Sequence, residues 1–179
     1  MSDAVKISLF PRKQFKDFME TTKRWCCLIV HRRGGKTYSS LQKLLKRAIS
    51  HNRPGPPKRY AYIAPTQAQA KDIAWNYLKD FTANIPGVQT NESELKVTLP
   101  DKTTMRLYSG ESYERMRGLY FDGIIIDEPE DIDPVAWREV IRPCLTDYKG
   151  WCIWIGTVKG KKGQWKRYSE GKQLDSWFT

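Results

Sequence analysis

Val30-His31-Arg32-Arg33-Gly34-Gly35-Lys36-Thr37 follows directly on the apolar run Trp25-Cys26-Cys27-Leu28-Ile29-Val30. The pair reads as a strand that feeds a short glycine-bearing turn, with Lys36 and Thr37 opening the next helix. Backbone N–H groups of such a turn, together with the positive end of the helix dipole, bind phosphate oxygens. Arg33, Gly34 and Gly35 form the cradle, Lys36 reaches the outer phosphates, and the Thr37 hydroxyl takes a place on Mg²⁺. The phosphate-loop pattern G-x-x-x-x-G-K-[ST] is met except at its first position, where Val30 replaces glycine. Taken alone, Gly-Gly-Lys-Thr after a strand also occurs as an ordinary surface turn, so the remaining segments decide.

Outward from this stretch, apolar and helical periods alternate. Residues 11–23 read as an amphipathic helix with Pro11 in its first turn and Phe15, Phe18 and Met19 at helical spacing. Helix 37–51 is expected to turn Leu41, Leu44, Leu45, Ala48 and Ile49 inward and Lys43, Lys46 and Arg47 outward. Strand 60–64 ends at Pro65-Thr66-Gln67, where a helix over about 67–81 begins; 84–91 reads as loop. Residues 95–99 and 104–108 alternate around the turn Pro100-Asp101-Lys102, which makes a hairpin. A polar connector, 109–122, leads to Gly123-Ile124-Ile125-Ile126-Asp127-Glu128, a continuous apolar run of the kind a buried parallel strand needs. A helix over 134–142, with Pro143 past its end, and a strand over 151–155 follow. The tail from Val158 is basic and weakly patterned.

Strands alternating with helices imply an α/β fold: a mostly parallel central sheet flanked by helices, with a β-hairpin insertion. Ligands of such sheets bind at the carboxyl ends of the strands. Three segments should therefore share one edge: Gly34 to Thr37, Asp127-Glu128, and Gly156-Thr157. Two carboxylates ending a buried strand downstream of a phosphate loop suit two tasks. Asp127 can hold the Mg²⁺ shell, and Glu128 can polarise a water in line with the γ-phosphate. Glu130, Asp131 and Asp133 read as a solvated acidic loop.

The 179 residues carry a net charge of +11. Residues 1–60 hold 15 Lys or Arg against 3 acids, and the remainder holds 16 against 17. A basic first third points to a polyanion, either nucleotide phosphates or a nucleic-acid backbone. There is no apolar run of about 18 residues and no signal-peptide core, so neither a membrane partner nor export is expected. Cys26, Cys27, Cys144 and Cys152 form no C-x-x-C pair and read as buried, reduced thiols. Two histidines are too few for a metal cluster or a Ser-His-Asp triad.

The order Arg32-x-x-Gly35-Lys36-Thr37, Ala64-Pro65-Thr66, Ser109-Gly110, Arg117-Gly118, Ile126-Asp127-Glu128 and Gly156-Thr157-x-Lys159-Gly160 resembles the ATPase domain of tailed-bacteriophage terminase large subunits, the motors that package DNA. The resemblance runs from about Pro11 to Gly160. It implies a P-loop NTPase fold over one domain, 1–179, with ATP and Mg²⁺ as cofactors. The implied partners are double-stranded DNA, other copies of the chain in a ring, the portal and the small terminase subunit, all in the host bacterial cytoplasm. It makes Gln14 the adenine-recognising glutamine, Arg32 the γ-phosphate sensor, and Lys36 and Thr37 the phosphate and Mg²⁺ contacts. Asp127 becomes the Mg²⁺ carboxylate, Glu128 the catalytic base, Thr157 the coupling residue, and Arg117 a trans arginine finger. Pro129 departs from the family's small residue after the base. The nuclease domain of the family needs a further acidic cluster, so no nuclease activity is expected of these residues. The alternatives are a helicase-like translocase and a catalytically inactive basic nucleic-acid-binding module.

Overall fold

The computed structural model describes residues 10–157 and 163–179. Eight strands form one sheet: β1 (Trp25–Ile29), β2 (Arg59–Ala64), β3 (Gln89–Asn91), β4 (Lys96–Thr98), β5 (Thr104–Ser109), β6 (Gly123–Asp127), β7 (Trp151–Gly156) and β8 (Trp177–Phe178). Their order is β3-β4-β5-β2-β6-β7-β1-β8, parallel from β5 through β8. The hairpin insertion pairs antiparallel at one edge. The expected α/β architecture is therefore present. Two strands lie where the sequence shows little pattern. β3 is a three-residue edge strand with exposed residues, and β8 is a two-residue strand anchored through Trp25 and Cys26.

The helices are α1 (Lys16–Glu20), α2 (Lys36–Ser50), α3 (Gln67–Ala70), α4 (Asn76–Thr82) and α5 (Gln164–Gly171). A π-helical turn, Lys71–Trp75, joins α3 to α4, so the expected helix over about 67–81 is continuous with a bulge in it. Thr66 starts it with a capping box to Gln69. The expected helix over 11–23 shrinks to α1 and a preceding 3-10 turn, Lys13–Phe15. The stretch over 134–142 is mostly π-helical (Ala136–Ile141), and Pro143 opens a further 3-10 turn instead of following the end.

Strand alternation splits the core into two layers. Tyr60, Tyr62, Ile125, Ile153, Cys26 and Leu28 pack under α1, α2 and α4. Ala61, Ile63, Ile124, Ile126, Cys27 and Trp154 pack on the other face against Val140, Ile141 and Leu145. Adjacent Cys26 and Cys27 thus face opposite layers, and all four thiols are buried and free. Burial pushes Cys26 up to about 11 and Cys27 up to about 12, which keeps both neutral. Gly123 is required by close packing: a Cβ there would lie 2.2 Å from the Trp151 ring.

Helix α2 departs from its expected facing in two residues. Ile49 is 47% exposed, whereas Lys43 is 2% exposed. The Lys43 ammonium donates to the carbonyls of Phe18, Met19 and Thr21 at 2.6, 3.3 and 2.8 Å. These are orphan acceptors at the end of α1, and satisfying them compensates for burying the charge. Below the sheet, the buried Arg53–Asp122 ion pair joins the loop after α2 to the start of β6, with Arg53 stacked 3.6 Å from the Tyr148 ring centroid.

Candidate active site

The turn after β1 is built around the residue that replaces the missing glycine. A Cβ on Gly34 would lie 2.3 Å from Val30 Cγ1, so the valine methyl occupies the space and Gly34 must stay bare. Arg33 and Gly35 take positive φ, 60° and 92°, which turns the chain into α2. The segment before α1 braces this loop from outside. Gln14 Nε2 donates to Gly34 O at 3.1 Å, and Arg12 Nη1 donates to Arg33 O at 3.2 Å. Arg12 carried no signal in the sequence, where it is one of many cations, yet it lies across Gly35.

The shared edge expected from the sequence is present. Lys36 Nζ lies 3.5 Å from Glu128 Oε1. Thr157 Oγ1 lies 3.4 Å from both Glu128 oxygens, and Thr157 N is 3.5 Å from Oε2. Val30 N donates to Gly156 O at 3.2 Å, tying the phosphate loop to the end of β7. Glu128 holds φ 43° and ψ 58°, a left-handed conformation rare for a side chain of its size. It is kept there by its own N–H on Ile155 O at 2.9 Å and by the 3-10 turn Pro129–Asp131. Pro129 therefore starts an ordered turn behind the carboxylate. Strain of this kind persists only where surrounding contacts over-determine it.

Asp127 is 4% exposed at the end of β6. Burial raises its pKa from the ordinary value, opposed by the Tyr62 hydrogen bond and by Lys36. The Tyr62 hydroxyl donates to Asp127 Oδ2. Burial holds the Tyr62 phenol well above its ordinary value, so it remains a donor. The sequence marks Tyr62 only as a strand residue; its hydroxyl holds Asp127. Asp127 Oδ1 is buried with no hydrogen-bond partner. An orphaned carboxylate oxygen close to Lys36 of the glycine-bearing loop fits a divalent cation held by one protein carboxylate plus substrate phosphates. Among the described residues no group of three or more His, Cys, Asp or Glu forms a self-sufficient metal cage.

Other expected residues fall outside this cluster. Arg32 and Arg33 are exposed on the loop. Arg117 is exposed at the end of the 3-10 stretch Gly110–Met116, where it pairs with Glu114 at 2.7 Å. Glu130 is not simply solvated: its Oε1 accepts from Gln164 N at 2.7 Å, at the start of α5. Lys159 and Gly160 lie outside the described residues.

A sheet with a phosphate loop at the carboxyl end of β1 and paired carboxylates two strands away defines a P-loop NTPase fold. The large terminase ATPase domain of Thermus phage P74-26 shares it, with a TM-score of 0.68 and 22% identity over 82% of this chain and 64% of that one. The HK97 bacteriophage large terminase matches with a TM-score of 0.68 and 17% identity, over 90% of this chain and 36% of that one. A large terminase from a thermophilic bacteriophage, in complex with ATP-gamma-S, matches at 0.63 and 17%, over 87% and 38%. The chain thus spans about two thirds of the Thermus phage domain and under half of the other two. No protein-family model and no curated protein sequence matches it. The resemblance drawn from motif order holds at the level of the fold.

Proposed function

We propose that the chain is the ATPase motor domain of a terminase large subunit, coupling Mg-ATP hydrolysis to translocation of double-stranded DNA into a procapsid. The observation that carries this reading is the convergence of Lys36, Glu128 and Thr157 on one edge beside Asp127. Lys36 and the loop N–H groups bind the β- and γ-phosphates. Asp127 and Thr37 hold Mg²⁺, which when bound supplies charge neutralisation between the phosphates. Glu128 accepts the proton of the attacking water. Arg32 senses the γ-phosphate, and Gln14 supports the nucleotide site through its hold on Gly34. Thr157, in contact with the base and ending β7, reports the state of Glu128 to the rest of the sheet.

In this reading the chain works in the host bacterial cytoplasm as one member of a ring with portal and small terminase subunit, and Arg117 serves a neighbour's site. Among the described residues no helix is long and apolar enough to cross a membrane. The test is ATP turnover by the chain with and without duplex DNA, beside Lys36→Ala. Lysine-dependent turnover that DNA stimulates supports the motor; turnover unaffected by Lys36→Ala refutes it.

A further inference from the structure

The cleft that contains Gly35, Lys36 and Thr37 extends past the phosphate loop. It encloses about 510 Å³ and continues along an apolar wall of Phe10, Tyr38, Ile73 and Tyr77. Phe10, Ile73 and Tyr77 are 75%, 43% and 41% exposed, and they are three of the five large apolar side chains left exposed among the described residues. Single exposed apolar groups need no explanation, but three gathered on one cleft mark a binding surface. Its rings also pack on one another. Tyr77 stacks on Phe81 at 6.2 Å with 14° between planes, and Tyr38 meets both rings edge-on at 5.5 and 5.0 Å.

Resting on the nucleotide site described above, we infer that this wall seats the nucleotide base by stacking, and that the site accepts purine nucleotides as a class, without selecting adenine. Stacking depends on the area of a π-face, which adenine and guanine share and pyrimidines have less of. Selecting adenine by its edge requires placed acceptors and donors that only adenine satisfies. The charged side chains along this cleft, Arg12, Arg33 and Lys36, are donors only. The Tyr38 and Tyr77 hydroxyls both donate and accept, so they suit the amino group of adenine and the carbonyl of guanine equally. Gln14, the side chain the family resemblance assigns to adenine, donates its amide to Gly34 O and lines a separate recess with Phe15, Val30 and Tyr168. On this inference Gln14 acts on the loop and the aromatic wall on the base.

The test is calorimetric titration of the full chain with the Mg²⁺ complexes of ADP, GDP, UDP and inorganic tripolyphosphate. ADP and GDP should bind within about threefold of each other, and UDP about tenfold more weakly. Tyr77→Ala should cost ADP and GDP about tenfold each and leave tripolyphosphate unchanged. Tyr77→Leu, which keeps an apolar side chain in place, should show the same loss. Gln14→Ala should weaken ADP and tripolyphosphate together without altering the ADP-to-GDP ratio. A strong preference for ADP that Gln14→Ala abolishes overturns the inference. So does ADP affinity unchanged in both Tyr77 variants, and if those variants instead change the oligomeric state, the wall is a contact between copies. If the unaltered chain binds neither tripolyphosphate nor nucleotide, or binds them regardless of Lys36→Ala, the nucleotide site itself falls and the base seat with it.

Discussion

Lys36 Nζ and Glu128 Oε1 lie 3.5 Å apart, so the proposed phosphate-binding ammonium and the proposed general base neutralise each other across the sheet edge. Both are half-buried, and Thr157 touches the same carboxylate. In the proposed motor, a γ-phosphate entering the loop would compete for Lys36 and withdraw it from Glu128. The carboxylate is then left to a water at the moment substrate is in place. Binding and proton abstraction thus share one pair of residues while remaining chemically separable.

Glu128→Gln separates them. The amide is close to the carboxylate in shape and still accepts from Lys36, but it cannot take a proton from water. General-base catalysis of this kind is worth about 10²- to 10⁴-fold. The expected result is turnover reduced by at least about 100-fold, with MgADP affinity kept within a few-fold by calorimetry. Turnover that survives the substitution would show that the base lies elsewhere.

Tyr62→Phe probes the neighbouring carboxylate. Burial raises the Asp127 pKa, and the Tyr62 hydroxyl is the first influence pulling it down. Removing the hydroxyl leaves a second buried oxygen without its donor, so the pKa rises further. Because the ionised form is the one that serves, activity must be lost at a higher pH on the acid side. A hydrogen bond to a charged group is worth more than one between neutral groups, so its loss moves the acid limb upward. Initial rates measured from pH 5 to pH 8 decide the matter: an acid limb that stays put removes Tyr62 from the site.

The residues just discussed show what a sequence can and cannot carry. Asp127 and Glu128 were legible because three isoleucines in front of them fix a buried strand, and Lys36-Thr37 because a strand precedes the turn. The shared edge followed from parallel topology alone. Tyr62 and Arg12 were not legible, because a strand tyrosine and an arginine in a cationic segment have ordinary structural roles; only folding brings them to Asp127 and Gly35. Its charge predicts a solvent-facing Lys43, whereas the carbonyls at the end of α1 draw it inward. β8 carries no sequence signal because two residues hold no period, and its strand character comes from pairing with Trp25 and Cys26.

Lys43 has a pH signature of its own. Burial lowers its pKa from 10.5 to about 8. Cys26, pushed up to about 11, stays neutral through most of this range, and Arg47, Lys46 and Glu20 are the other charges nearby. Below about pH 8 the lysine is protonated in both folded and unfolded chains, and its burial is a constant cost. Between about pH 8 and 10.5 the unfolded chain binds more protons, so this lysine's contribution to stability rises with pH. Lys43→Met strips the donor from three carbonyls and should cost about 2 kcal/mol at pH 7. The gap to the unaltered chain should widen by about 1 kcal/mol at pH 9. Urea unfolding at the two pH values reads this directly, and a constant or narrowing gap contradicts it.

Arg117 offers the sharpest test of assembly. Its guanidinium is exposed and paired with Glu114 on the surface, away from the Lys36–Glu128 contact of its own chain. In the proposed ring this arginine serves a neighbour's site, where it would stabilise charge on the transferring phosphoryl group. Turnover per molecule should therefore climb with protein concentration as ring contacts fill. Arg117→Ala should hold turnover at the dilute value across the whole range, while the melting temperature stays where it was, since an exposed pair contributes little to the fold. Removing one arginine finger lowers turnover by about 10³-fold or more in enzymes that depend on it. A rate that is independent of concentration and unchanged in Arg117→Ala means that each site is complete within one chain, and the working arginine is then sought in the loop itself, at Arg32.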